Sequence, residues 1–158
     1  MPKTTETVAQ GTRAAAKPAA RILIVDDEPD IVSYLEMLLR DGGYETLSAA
    51  DGAAALDLVR RERPDLVTLD ISMPKASGTR FYKEVKTDPA LASIPVVIVT
   101  AVTGFGGDPY GYQKFLSHRR LVPPPDGFFP KPIQREEFLA AVKRLLAHRG
   151  KEPRGAAP

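Results

Sequence analysis

Short runs of apolar residues are the feature that most constrains the fold of this chain. Four such runs stand out, and a fifth segment indicates a more peripheral strand; in chain order they are ILIV (22–25), YETLSAA (44–50, the peripheral one), DLVTLD (65–70), PVVIV (95–99) and GFFP (127–130). Three of the runs are continuous rather than alternating, which is typical of strands buried on both faces, as in a parallel sheet.

Helical segments lie between and after these runs, each with recognisable start or stop signals. Their signals are Pro29 at the start and Asp41-Gly42-Gly43 at the end of the first, Asp51-Gly52 and Pro64 around the second, Ser77-Gly78 before the third, and Gln134 to His148 for the last. This alternation of strand and helix predicts an α/β fold, a doubly wound five-stranded parallel sheet with helices on both faces.

The composition is that of one globular domain. The chain has 158 residues, enough for a single sizeable core. Residues 1–20 and 149–158 lack an apolar period, so we expect disordered tails around a globular unit at 21–148. The absence of cysteine excludes disulfides and thiolate metal sites. Because no segment has the apolar core of a secretory signal or a membrane span, we expect a cytoplasmic protein without a membrane partner.

Polar side chains stand where the predicted strands end. Asp26 and Asp27 follow the first strand, Asp70 ends the third, Thr100 ends the fourth and Lys131 follows the fifth. Ligands of parallel sheets bind outside the carboxyl ends of the strands, so these five side chains are expected to converge on one edge.

Three neighbouring carboxylates repel one another unless a cation lies among them. Oxygen ligands without Cys or His favour a hard ion, and room for water favours Mg²⁺. With the Lys131 ammonium and the Thr100 hydroxyl, the set suggests phosphoryl transfer onto an aspartate. Asp70 is the predicted acceptor because it stands alone at the centre of the sheet. We interpret Glu28 and Asp30 as acids favoured by the dipole of the first helical turn.

The motifs that carry these residues resemble the receiver domain of two-component response regulators. They are VDDE (25–28), LDISMP (69–74) with Gly78 eight residues after Asp70, IVTA (98–101) and KP (131–132). The resemblance covers nearly the whole globular unit and implies a flavodoxin-like sheet of strand order 2-1-3-4-5.

The resemblance also implies a role for each site residue. Asp70 would be the phosphoacceptor, and Mg²⁺ would be held by Asp26, Asp27, Asp70 and the backbone carbonyl of Ser72. Thr100 and Lys131 would bind the phosphoryl group, Phe128 would be the switch aromatic, and Pro132 would follow a cis peptide bond.

The resulting functional prediction is a single-domain response regulator without an output domain. It would accept a phosphoryl group from a sensor histidine kinase or a histidine phosphotransfer protein and switch a surface for an unknown downstream protein. It would not be an enzyme, apart from catalysing its own phosphorylation and dephosphorylation. A net charge of +2 is too mild to argue for nucleic acid.

Three alternatives compete with this prediction. A phosphorylation-independent pseudo-receiver, acting as a protein-binding module, is opposed by the intact set of five residues. A phosphohydrolase of similar sheet would need a second Asp at position 72, where this chain has Ser72. A dinucleotide-binding domain would need GxGxxG after the first strand.

The 30 residues between Thr100 and Lys131 are more than the family usually has. We predict a glycine-rich loop, a helix from Asp108-Pro109 to Arg119-Arg120, and an extended path through LVPPPDG. Two hypotheses stay open for this segment. It is either a tolerated loop insertion or a docking surface that offers the proline run and three aromatic side chains, Tyr110, Tyr112 and Phe115.

Overall fold

Five parallel strands form one sheet in the order β2-β1-β3-β4-β5 in the computed structural model. The strands are β1 (Arg21–Val25), β2 (Glu45–Ala49), β3 (Leu66–Leu69), β4 (Val96–Thr100) and β5 (Gly127–Pro130). The structure describes residues 19–101 and 123–151. The predicted sheet, its parallel pairing and its strand order are confirmed.

Several predictions fall on residues outside the described ranges. They are those for most of both terminal tails and those for the helix and aromatic side chains between 102 and 122. The division into two tails and one domain therefore stays a prediction.

Four α-helices accompany the strands in the described part of the chain: α1 (Pro29–Asp41), α2 (Gly52–Glu62), α3 (Ser77–Thr87) and α4 (Arg135–Lys151). Pro29 occupies the first turn of α1. The Asp51 carboxylate caps α2 by accepting a 2.8 Å hydrogen bond from the Ala54 amide. Arg63 closes α2 in the left-handed conformation, directly before Pro64. None of these helices is long and apolar enough to cross a membrane.

The core lies on both faces of the sheet. On one face α2 and α3 bury Val59 and Phe81 against alternate residues of β1, β3 and β4. On the other face α1 and α4 bury Leu38 and Phe138 against the intervening residues. Because both faces of these central strands are covered, both sets of side chains are apolar, which explains the continuous apolar runs.

The last helix extends further than predicted. The prediction ended it at His148, but α4 continues to Lys151. The Arg149 guanidinium donates a 3.1 Å hydrogen bond to the carbonyl oxygen of Pro64 and lies 3.9 Å from an Asp65 carboxylate oxygen. The prediction was wrong here because contacts with a loop some 85 positions earlier hold the final turn.

The residues directly before β5 are held against α3. The Tyr82 hydroxyl donates to the Pro123 carbonyl oxygen, and the Lys86 ammonium lies 3.5 Å from the Asp126 carboxylate. Asp126 in turn accepts a 2.8 Å hydrogen bond from the Val96 amide, at the start of β4. Lys86 also donates to the Ile94 carbonyl at 2.8 Å. Burial lowers the pKa of Lys86 despite the neighbouring Asp126 carboxylate.

Candidate functional site

Five polar side chains meet at the carboxyl edge of the sheet, as the positions of the strand ends predicted. Asp26 and Asp27 follow β1, Asp70 follows β3, Thr100 is the last residue of β4 and Lys131 follows β5. Asp26, Asp70 and Thr100 are only 2%, 1% and 5% exposed, whereas Asp27 faces outward. Because Asp26, Asp70 and Thr100 are buried, their polar groups depend on partners within the protein for hydrogen bonds.

The two oxygens of the Asp70 carboxylate have different surroundings. Oδ1 accepts hydrogen bonds from the Ser72 amide at 2.9 Å, the Ser72 hydroxyl at 2.6 Å and the Thr100 hydroxyl at 3.0 Å. Oδ2 lies 3.4 Å from the Lys131 ammonium. One oxygen thus faces hydroxyl donors and the other faces the charged groups of the site.

Asp26 is a buried carboxylate with both oxygens engaged. Its Oδ1 accepts a 2.9 Å hydrogen bond from the Glu28 amide, and its Oδ2 lies 3.0 Å from the Lys131 ammonium. Burial raises the pKa of Asp26 above its ordinary value, and the two hydrogen bonds only partly offset that effect. The carboxylate is therefore held at some cost to the folded protein.

Lys131 lies at the centre of a cluster of carboxylates. Its Nζ contacts Asp26 Oδ2 at 3.0 Å, Glu28 Oε1 at 3.1 Å and Asp70 Oδ2 at 3.4 Å. Burial favours the neutral amine, but the hydrogen bonds and opposite charges outweigh it and raise the pKa of Lys131. Lys131 is therefore a fixed positive charge beside Asp70.

Two side-chain roles were not found from the sequence. Glu28 was interpreted only as an acid of the first helical turn, yet its carboxylate makes no capping hydrogen bond and contacts Lys131 instead. Ser72 was expected to contribute its backbone carbonyl, yet its hydroxyl also binds Asp70. The Glu28 contact spans 103 positions along the chain, so local sequence carries no signal for it.

The end of β5 brings Lys131 into position. The Lys131 amide donates a 2.9 Å hydrogen bond to the Thr100 carbonyl, and the Lys131-Pro132 peptide bond is cis. Phe128 pairs with Ile98 of β4 and packs, partly buried, against the core on the face of α2 and α3. The candidate switch aromatic is thus next to the strand that ends in Thr100.

The donor set fits a hard divalent cation. Carboxylate oxygens of Asp26, Asp27, Glu28 and Asp70 lie within 4.8 Å of one another. Oxygen ligands of this kind suit Mg²⁺, which keeps several waters, and the exposed Asp27 leaves room for them. Three of these four carboxylates contact the Lys131 ammonium, which leaves the cluster with excess negative charge, so a bound cation would relieve their mutual repulsion.

Known proteins give an independent comparison. The sequence model of a family described as "Response regulator receiver domain" matches residues 22–143. Protein Rrf1 of Nitratidesulfovibrio vulgaris is 38% identical over 128 residues, which are 81% of this chain and 83% of that protein. Response regulator PleD of Caulobacter vibrioides is 36% identical over 80% of this chain, but the match spans only 26% of PleD.

Solved structures show the same architecture. The signal receiver domain of a signal transduction histidine kinase from Syntrophus aciditrophicus superposes with a TM-score of 0.73 at 30% sequence identity. The superposition covers 86% of this chain and 96% of that domain. The likeness therefore extends over the sheet and the edge that carries the acidic cluster.

Proposed function

This chain belongs to the response regulator receiver domain family of two-component systems, and from that premise we propose that it accepts a phosphoryl group on Asp70. The donor would be the phosphohistidine of a sensor kinase or of a phosphotransfer protein. Receiver domains are generally signalling modules rather than enzymes. The observation that carries the proposal is the buried Asp70 carboxylate, which lies between two hydroxyls and the Lys131 ammonium.

We assign the attack to Oδ1 of Asp70. This oxygen faces the hydroxyls of Ser72 and Thr100, which can turn to donate to phosphoryl oxygens once Oδ1 is esterified. A bond forms between Oδ1 and phosphorus, the bond from phosphorus to the donor nitrogen breaks, and its electron pair returns to the imidazole. Oδ2 keeps its place beside Lys131.

The acidic residues prepare the pocket for this transfer. Asp26, Asp27, Asp70 and the Ser72 carbonyl would hold Mg²⁺, which when bound supplies positive charge for the phosphoryl oxygens. Lys131 supplies a second, permanent positive charge beside Asp26 and Asp70. Phosphorylation would then draw in Thr100 and Lys131, and Phe128 would transmit the change to a surface for a downstream protein.

The test is the intact mass of the protein after incubation with Mg²⁺ and acetyl phosphate. We expect a gain of one phosphoryl group that is lost when Mg²⁺ is chelated and absent in Asp70→Asn. Asp57→Asn is the matched control because Asp57 is an exposed acid on α2 that does not belong to the acidic cluster. No gain in the folded wild-type protein would contradict the proposal and favour a phosphorylation-independent binding module.

A further inference from the structure

All three hydrogens of the Lys131 ammonium are used in the resting protein. An ammonium group has three donors and no acceptor. The structure gives Lys131 three carboxylate partners, on Asp26, Glu28 and Asp70, at 3.0, 3.1 and 3.4 Å. A phosphoryl group on Asp70 that binds Lys131 must therefore displace one of them.

The three partners differ in what their release would cost. The side chains of Asp26 and Asp70 are 2% and 1% exposed, so losing Lys131 would leave a buried charge without its partner. The Glu28 side chain is 59% exposed, so its carboxylate can return to water at little cost. Glu28 is the partner that yields most readily.

The backbone of Glu28 would stay in place during this exchange. The Glu28 amide donates to Asp26 Oδ1 at 2.9 Å and so helps to hold the buried carboxylate. Only the flexible side chain has to swing away from Lys131. The exchange therefore leaves the geometry of Asp26 intact.

We propose that the Glu28 carboxylate occupies the phosphoryl position of Lys131 in the resting protein and competes with the phosphoryl group for that ammonium. Glu28 acts through Lys131 and is thus a positioning residue that favours the unphosphorylated state. The inference rests on the proposed function, since it needs a phosphoryl group at Asp70. It assigns to Glu28 a role that the neighbouring acid Asp30 does not share.

The experiment measures the affinity for beryllium trifluoride, a phosphoryl mimic that needs neither donor nor leaving group, by calorimetry at saturating Mg²⁺. Glu28→Gln should bind the mimic about two- to five-fold more tightly than wild type, the range expected for loss of a partly exposed ion pair. Asp30→Asn is the matched control. It removes an exposed acid from the same helical turn. In the described part of the chain, the side chain of Asp30 has no hydrogen-bond or ion-pair partner.

A second genetic background tests whether the effect passes through Lys131. In the Lys131→Met background, adding Glu28→Gln should alter the affinity for beryllium trifluoride no more than adding Asp30→Asn does. An equal gain in both backgrounds would overturn the inference, because Glu28 would then act only as a surface charge that repels the anion.

Two further measurements keep the inference testable if Lys131→Met does not fold. At 0.5 M salt the screening length is about 4 Å, so a contact effect at Glu28 should persist while a long-range repulsion disappears. Mg²⁺ affinity without the mimic should fall less in Glu28→Gln than in Asp27→Asn, because Glu28 belongs to the acidic cluster but would contribute only its charge. A loss as large as that of Asp27→Asn would overturn the inference by making Glu28 a metal ligand.

The outcomes separate this inference from the proposed function. If the wild-type protein binds no mimic and gains no phosphoryl group, the proposed function fails. If the wild type binds the mimic and Glu28→Gln binds it no better, only the role of Glu28 fails.

Discussion

Asp26 illustrates at the scale of single residues how a functional group reduces stability. Its carboxylate is 2% exposed, and burial raises its pKa despite hydrogen bonds from the Glu28 amide and Lys131. A group whose pKa is higher in the folded protein binds its proton more tightly there than in the unfolded chain. Proton binding by Asp26 therefore contributes fully to stability below the unfolded pKa of 3.8. This contribution is lost as the pH rises through the higher pKa of the folded protein.

Asp26→Asn should stabilise the metal-free protein at pH 7 by about 1 kcal/mol, because an amide removes the buried charge. The gain should vanish as the pH falls below 3.8, where the wild-type carboxyl is itself protonated. Urea denaturation in the presence of a chelator measures both effects. The control Asp57→Asn on α2 should change neither the stability at pH 7 nor its dependence on pH. Loss of stability in Asp26→Asn at pH 7 would contradict this account.

Gly78 shows how closely the backbone of α3 approaches Asp70. A Cβ atom at Gly78 would lie 2.4 Å from the Asp70 carbonyl oxygen and 2.9 Å from the Ile71 Cα, and neither atom is part of a flexible side chain. Gly78→Ala should therefore destabilise the protein by about 2 kcal/mol, as overpacking of a core does.

Gly127→Ala is the matched control for Gly78→Ala. Its Cβ would meet side-chain atoms of Phe129 and Val97 at 3.4 to 3.6 Å, which are ordinary contacts. Urea denaturation compares the two variants. Equal losses of stability in both variants would show that the close approach of α3 to Asp70 does not cause the loss in Gly78→Ala.

At the scale of secondary-structure elements, α3 is held at both of its ends. Its first turn packs on the backbone of Asp70. Tyr82 in its middle and Lys86 near its other end contact Pro123 and Asp126. Lys86 is 5% exposed, and burial lowers its pKa below 10.5. The unfolded chain therefore binds this proton more tightly than the folded protein, so stability should rise with pH up to 10.5.

Lys86→Met should remove this rise in stability. We expect the free energy of unfolding of the wild type to increase between pH 8 and pH 10 relative to that of Lys86→Met. Guanidinium denaturation at several pH values in this window tests the difference. Lys83→Met, which removes an exposed lysine of the same helix, should keep the wild-type slope.

The elements also show what the sequence can predict. The strands and most helix ends follow from local signals such as Pro29, the Asp51 cap and the apolar runs, and the site follows from the residues at the strand ends. The end of α4 could not be predicted because it depends on the contact of Arg149 with Pro64. The roles of Glu28 and of the Ser72 hydroxyl depend on side-chain packing between distant segments, which local patterns do not encode.

At the scale of the whole molecule, the acidic edge should couple Mg²⁺ binding to folding. The cluster exists only when β1 and β3 are paired, so Mg²⁺ should bind the folded protein and not the unfolded chain. At a concentration one hundred times its dissociation constant, Mg²⁺ should stabilise the protein by about 2.7 kcal/mol. Thermal unfolding with and without a chelator measures this difference.

Asp27→Asn should reduce the stabilisation by Mg²⁺, and the variant should still fold because Asp27 is exposed. Asp30→Asn should retain the full stabilisation, since Asp30 is not part of the cluster. A Mg²⁺ effect of the same size in all three proteins would place the ion elsewhere.

The contacts around Asp65 have a practical consequence for reporter design. The Arg21 amide and the Arg149 guanidinium both lie near the Asp65 carboxylate, at the edge of the sheet opposite the acidic cluster. A fluorescent protein or surface anchor joined just before residue 19 or just after residue 151 would therefore leave from the far side. Its attachment would leave the acidic edge open to other proteins, so either fusion point suits an assay of the proposed phosphotransfer on an immobilised protein.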